Sequence, residues 1–288
     1  MEFEKAQLDE DARNRLSLSF VELSKGWVNY ELKGSKEQDL VLFLHGFSIP
    51  NFIWDKNFEE IADAGYCTLR FDFYGRGFSA RPKCKYDTDL FDNQIIELLN
   101  RLNLGDKKVN IIGLSMGGTI AMTFADRHPE KVKSLILVDP AGLPQPTEFK
   151  QKLLKIPVLN KLLFRFIGNQ VLINGLENNF YDFSKFPEFE DKFIEQMKYK
   201  GYRNAIVSTY QHMPMFDIEH VYKRVGKSKL PVLLIWGEED QVVPYSQHNK
   251  ALELLPNAEF HAIAKAGHNS NYECAEIVNS HIKTFLSR

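Results

Sequence analysis

Ser115 stands in Gly113-Leu114-Ser115-Met116-Gly117, directly after the apolar run 109–112 and directly before a helix-compatible stretch, 119–125. A serine hydroxyl attacks an acyl carbon only if it stands clear of a sheet, so the chain must turn sharply from strand to helix around it. Bulky side chains two positions either side would clash in that turn, and glycine fills both positions. Gly118 adds a further position for close packing. The same residues could open an ordinary helix after a strand, but here the strand-turn-helix context that the chemistry needs is written around the motif. Ser115 is the candidate nucleophile.

A serine on such a turn needs an acid and a base, expected in the chain order serine, acid, histidine. The run 230–236 reads as a buried strand. It ends in a glycine turn that presents Glu238, Glu239 and Asp240 at the strand's C-terminal edge, where open parallel sheets gather their chemistry. Asp240 is the acid candidate; Glu238 and Glu239 compete for the role and read otherwise as turn solvation. Of the eight histidines, His268 lies on a loop after the last strand-like run and before the terminal helix, the place of a base. His45 precedes Gly46 and reads as shaping a turn, while His128, His248, His261 and His281 read as packing or surface residues. His212 and His220, in the middle region, read as ordinary polar residues. Asp139, after another strand, reads as a turn or capping carboxylate beside Pro140.

Attack on a carbonyl drives negative charge onto oxygen, and two fixed backbone N–H donors stabilise it without reorganisation. One is expected from Met116, immediately after the nucleophile. The other is expected from the turn after the strand 39–44, with Phe47 the first choice and Gly46 or Ser48 still open.

Strand-like runs fall at 20–23, 27–32, 40–44, 67–71, 109–112, 135–138, 232–236 and 260–263. Helical patterns at 58–64, 89–102, 119–128, 246–255 and 273–286 lie between most of them. That alternation predicts an α/β architecture, a mainly parallel central sheet flanked by helices. The chain of 288 residues suffices for one large α/β domain plus an insertion, and its 44% hydrophobic content can fill a sizeable core. Residues 1–18 read as an N-terminal extension with a short helix through Leu8, Ala12 and Leu16.

Composition narrows the partners. A net charge of -2 gives no case for a nucleic-acid partner, and Gly75-Arg76-Gly77 lacks the spacing and the lysine of a phosphate loop. The odd set Cys67, Cys84 and Cys274 has no metal-ligand spacing and reads as reduced thiols, most simply in the cytoplasm. The acidic N-terminus has no apolar core of a secretory signal, and no run is long enough to cross a bilayer.

Taken together, His45-Gly46-Phe47, the Asp72 to Ser79 stretch, Gly113 to Gly118, Val138-Asp139-Pro140, Trp236 to Pro244 and Gly267-His268 resemble the successive landmarks of the α/β-hydrolase superfamily, in its order. The resemblance covers the chain from about residue 19 onward. It places the acid at Asp240, and implies a capped serine hydrolase working through an acyl-enzyme without a metal or organic cofactor. It also makes Asp72 and Arg76 part of a chain-reversal loop held by local hydrogen bonds and an ion pair.

The alternation of strands and helices breaks over 143–221, where helix-like segments are punctuated by prolines. In this superfamily such an insertion resembles a helical cap, leaving 19–142 and 222–288 as the core. A cap of this kind shapes the acyl pocket. Phe180, Tyr181, Phe183, Phe186, Phe189 and Tyr210 read first as cap packing and second as pocket lining. The stretch 150–167 is both basic and strongly apolar. It reads first as packing, with transient lipid-interface contact as the second reading.

Serine in place of an aspartate nucleophile argues against epoxide and haloalkane chemistry. The first expectation is a carboxylic ester hydrolase, with monoacylglycerol or another small acyl ester as substrate. Carbon-carbon hydrolases of ring-cleavage products often have Asn before the nucleophile and Trp after the histidine, where this chain has Leu114 and Asn269. They are the alternative, together with a non-catalytic ligand-binding protein on the same fold.

Overall fold

The computed structural model of the chain describes residues 3–144 and 168–288. Eight strands form one sheet: β1 (Ser19–Leu23), β2 (Gly26–Lys33), β3 (Leu40–Leu44), β4 (Cys67–Phe71), β5 (Val109–Leu114), β6 (Val132–Val138), β7 (Val232–Gly237) and β8 (Glu259–Ile263). Their spatial order is β1-β2-β4-β3-β5-β6-β7-β8. The two β2 pairings are antiparallel, whereas every pairing from β4 across to β8 is parallel. This is the α/β-hydrolase fold.

Parallel strands covered on both faces must be apolar throughout, and β3, β5 and β7 are buried at every residue. Alternate residues of each strand serve opposite layers. Leu40, Leu42 and Leu44 join one core with Ile111 and Leu135, while Val41 and Phe43 join the other with Ile112 and Ile136. Each such side chain contributes about 1.5–3 kcal/mol on burial. The helices Thr88–Arg101, Met116–Arg127 and Ala275–Leu286 cover the faces, each turning an apolar stripe to the sheet.

The N-terminal helix is shorter than the extension that contains it. Glu10–Arg15 is capped by the Asp9 side chain, which accepts from the Ala12 N–H, and Ala12 is its only buried residue.

Between β6 and β7 the regular elements among the described residues are all helical, apart from the isolated bridge of Tyr199 to Ala6. Residues 168–174 are helical, as are Phe189–Glu195, Tyr202–His212 and Glu219–Gly226. Residue 222 lies within the last of these helices, which packs on Met116–Arg127 and Gln247–Leu254. Phe180, Phe186 and Phe189 serve packing, with ring centroids of Phe180 and Phe189 4.8 Å apart and of Phe189 and Tyr272 5.1 Å apart. Phe183 and Tyr210 are half-buried and Tyr181 is exposed. The basic, apolar stretch 150–167 lies outside the described residues.

No helix among the described residues is long and apolar enough to cross a membrane. None of their His, Cys, Asp and Glu side chains cluster in a group able to hold a metal ion.

The order β4-β3-β5 marks the point where the chain reverses its direction of travel across the sheet. The crevice at the C-terminal ends of β3 and β5 is where this topology leaves room for a ligand. His45 follows β3, Ser115 follows β5, Asp139 follows β6, Asp240 lies three residues beyond β7, and His268 follows β8. Adjacent strands therefore deliver every candidate residue to one edge.

Candidate active site

Ser115 sits at φ 56° and ψ -118°, a backbone conformation that a side-chain-bearing residue adopts only when its surroundings enforce it. The enforcement is visible in the hydrogen bonds. The Ser115 N–H donates to the Val138 carbonyl at 3.1 Å, and its own carbonyl accepts from Gly118 and Ala141. The flanking glycines are sterically required: a methyl on Gly113 would lie 2.5 Å from the Gly117 carbonyl oxygen, and one on Gly117 only 2.2 Å from that of Leu44. The tight turn lifts Ser115 out of β5 and starts the helix behind it.

Asp240 is buried, while Glu238 and Glu239 beside it are exposed. One carboxylate oxygen of Asp240 accepts from the N–H groups of Val242 and Val243 at 2.8 and 2.9 Å, and the other meets His268 Nδ1 at 2.7 Å. Trp236 Nε1 donates to the Val243 carbonyl and braces that turn from the strand side. A carboxylate with every contact a donor requires the hydrogen of the imidazole on Nδ1, which leaves Nε2 of His268 able to accept a proton. Burial works against charge on His268, but the Asp240 carboxylate, with Asp139 adding to it, outweighs burial and holds the imidazole pKa above its ordinary value.

Asp139 is the second buried carboxyl of the site. It accepts from Gly237 N–H (2.7 Å), from Ser270 N–H (3.2 Å) and from the Ser270 hydroxyl (2.6 Å), and so ties the end of β7 to the residues after His268. Its partners thus lie on two other segments rather than in the turn beside Pro140. Burial, reinforced by the charge of Asp240, pushes its pKa far above the usual carboxylate range.

Ser115 and His268 face a common cavity of about 110 Å³, lined also by Gly46, Phe47, Ser48 and Asn269. That volume holds about three to four water-sized groups, enough for a reacting ester and its nearest substituents. The N–H groups of Phe47 and Met116 have no protein acceptor among the described residues. His45 shapes this loop. Its Nε2 accepts from the Phe73 N–H at 2.9 Å, so Nδ1 bears the hydrogen and donates to the Gly46 carbonyl, also at 2.9 Å. Complete burial lowers its pKa to about 3, which keeps the ring neutral.

Two features escape sequence reading. Arg76 does not pair with Asp72: its Nε donates to the Phe47 carbonyl at 2.8 Å, and among the described residues it has no carboxylate partner. Asp72 instead accepts from the N–H groups of Asn51 and Phe78. The insertion also reaches the base. Glu273 accepts from the Gly267 N–H on the histidine loop and from the Tyr181 and Asp182 N–H groups, while Asn269 N–H donates to the Asn179 carbonyl at 2.9 Å.

Comparison with known proteins agrees with this architecture. A hydrolase from Pseudomonas sp., named for 2-hydroxy-6-oxononadienedioate and 2-hydroxy-6-oxononatrienedioate, is 28% identical over 94% of this chain and 97% of its own. Lipase 3 of a Moraxella strain is 28% identical over 85% of this chain and 76% of its own. Among solved structures, the enol-lactonase from Burkholderia xenovorans LB400 superposes with a TM-score of 0.80 at 18% identity, covering 94% of this chain and all of that one, a likeness of fold. The profile of the alpha/beta hydrolase fold family matches residues 39–274, from the start of β3 to beyond His268, and the chain belongs to that family.

Proposed function

We propose that the protein is a serine hydrolase of carboxylic esters that works through an acyl-enzyme. The observation that carries this reading is the Asp240–His268 contact of 2.7 Å at a cavity that also holds the strained Ser115. In the proposed cycle the Ser115 hydroxyl proton passes to His268 Nε2 as Oγ attacks the ester carbonyl carbon. Asp240 stabilises the imidazolium, and the Phe47 and Met116 N–H groups receive the charge on oxygen. The carbon–oxygen bond to the leaving alcohol then breaks, and His268 returns the proton to it. Water, deprotonated by His268, attacks the acyl-enzyme and releases the acid and free Ser115. A small acyl ester, monoacylglycerol among them, is the substrate class this chemistry takes.

A second reading, carbon-carbon bond hydrolysis, is favoured by the names of the full-length relatives. Leu114 and Asn269 weigh against it, because they replace the polar and indole groups expected beside the nucleophile and base of such enzymes.

A substrate panel distinguishes the two. Turnover of p-nitrophenyl esters and monoacylglycerols of graded chain length, set against a 2-hydroxy-6-oxo-dienoate followed by loss of its chromophore, is expected to favour the esters. In Ser115→Ala the ester rate should fall by about 10⁴-fold or more with the fold intact. Preference for the dienoate would select the second reading. Near-wild-type turnover by Ser115→Ala would remove the serine mechanism, and failure of wild-type Ser115 to react with a fluorophosphonate would point to a binding protein.

A further inference from the structure

Three consecutive carbonyls of the loop beside Ser115 are each held by a buried side chain. The Gly46 carbonyl accepts from His45 Nδ1 (2.9 Å), that of Phe47 from Arg76 Nε (2.8 Å) and that of Ser48 from Gln196 Nε2 (2.9 Å). A trans peptide holds its C=O and the following N–H in one plane, pointing in opposite directions, so anchoring these carbonyls sets the directions of the Phe47, Ser48 and Ile49 N–H groups. The loop has no strand or helix ladder of its own here, and these side chains stand in for one.

His45 and Arg76 belong to the core. Gln196 comes from the insertion, 148 residues away in sequence, and is 1% exposed. Both ends of its carboxamide are used: Oε1 accepts from the Gly77 N–H at 2.9 Å, in the loop that carries Arg76. Its backbone is fixed as well, because Arg81 donates to the Gln196 carbonyl (3.2 Å) and to that of Gly77 (2.7 Å).

We propose that Gln196 is a positioning residue through which the seating of the insertion sets the shape of the oxyanion loop, a role that rests on the Ser115 hydrolase reading. With the insertion seated, the Ser48 carbonyl is pinned along with those of Gly46 and Phe47, so the loop that carries the Phe47 N–H keeps the course that lines the cavity beside Ser115. With the insertion lifted, the loop loses one of three anchors and stabilises the charge on the substrate oxygen less well.

Two variants test this with a short p-nitrophenyl ester. Gln196→Leu removes both hydrogen bonds and is expected to lower kcat about 10- to 100-fold with KM changed by less than about threefold, since the loop acts on the transition state. Gln196→Glu keeps an acceptor for Gly77 N–H but sets a carboxylate against the Ser48 carbonyl unless it is protonated. Its kcat relative to wild type is therefore expected to rise as pH falls from 8 to 6, and taking the ratio cancels the titration of His268. A folded Gln196→Leu with wild-type kcat overturns the proposal. So does a pH-independent ratio for Gln196→Glu, which also decides the matter should the leucine variant fail to fold. Ser115→Ala run in parallel separates these outcomes from failure of the hydrolase reading itself, which would show as activity retained without Ser115.

Discussion

His268 must be neutral to take the Ser115 proton, yet the two buried carboxyl groups near it favour its charged form. Because Asp240 and Asp139 hold the imidazole pKa above 6.5, the protonated, inactive form persists to higher pH than for a free histidine. The expected consequence is a kcat/KM that climbs with pH through a midpoint above 6.5, read from a pH profile on a soluble ester. The carboxyl groups should separate on substitution. Asp240→Asn presents an amide to Nδ1 and favours the wrong tautomer, with an expected loss in kcat of about 10⁴-fold. Asp139→Asn keeps an oxygen for one of its donors and should cost about tenfold. If Asp139→Asn proves the more damaging change, the acid lies on β6 rather than after β7.

At the level of elements, the histidine loop and the insertion touch through backbone. A methyl on Gly267 would lie 2.7 Å from the Phe180 carbonyl carbon and 2.9 Å from the Tyr181 nitrogen, with no flexible side-chain end to give way. Gly267→Ala is thus expected to push residues 180–182 off the loop, destabilising the protein by about 1–3 kcal/mol and lowering kcat as His268 shifts. Urea denaturation and ester kinetics measure the two effects, and unchanged values of both would show that the contact yields freely. That glycine was legible as a landmark beside His268, but its reason was not. The elements are legible in the same uneven way. β3 falls on its apolar run because a parallel strand buried on both faces must be largely apolar, whereas the helical pattern 273–286 is interrupted at Cys274: Glu273 ends the separate turn Ser270–Glu273, and Ala275–Leu286 forms the helix. Ser115 and His268 are legible because their chemistry constrains residue type and chain order, and Asp240 is set apart from Glu238 and Glu239 by the family resemblance. Arg76 and Gln196 are not, since each holds a backbone carbonyl, and a carbonyl leaves no mark on the sequence of the segment that owns it. The basic side chain of Arg76 even suggested an ion pair that the fold does not make.

Across the whole molecule, the first residues of the chain fasten the insertion to the core. The Glu4 N–H donates to the Met197 carbonyl at 2.8 Å, the Ala6 N–H to that of Lys198 at 3.0 Å, and the Lys200 N–H to that of Ala6 at 2.9 Å, while Phe3 packs beside the core that holds Phe193 and Met197. The Glu4 side chain accepts from the Gly201 and Arg203 N–H groups at the start of Tyr202–His212, where the helix leaves its amides unpaired, and pairs with the Arg203 guanidinium. Residues 3–6 therefore grip the segment that carries Gln196. Removing the carboxylate leaves two N–H groups and a half-buried guanidinium without it, at a cost of about 1–3 kcal/mol. Glu4→Ala is expected to lower the urea midpoint accordingly and to speed proteolysis within 190–205 before the core is cut, because the grip spans insertion and extension rather than the sheet. A unimodal loss of the whole chain to protease, with no early cleavage in that window, would show that the extension stabilises the molecule as a unit and not the insertion through its seat.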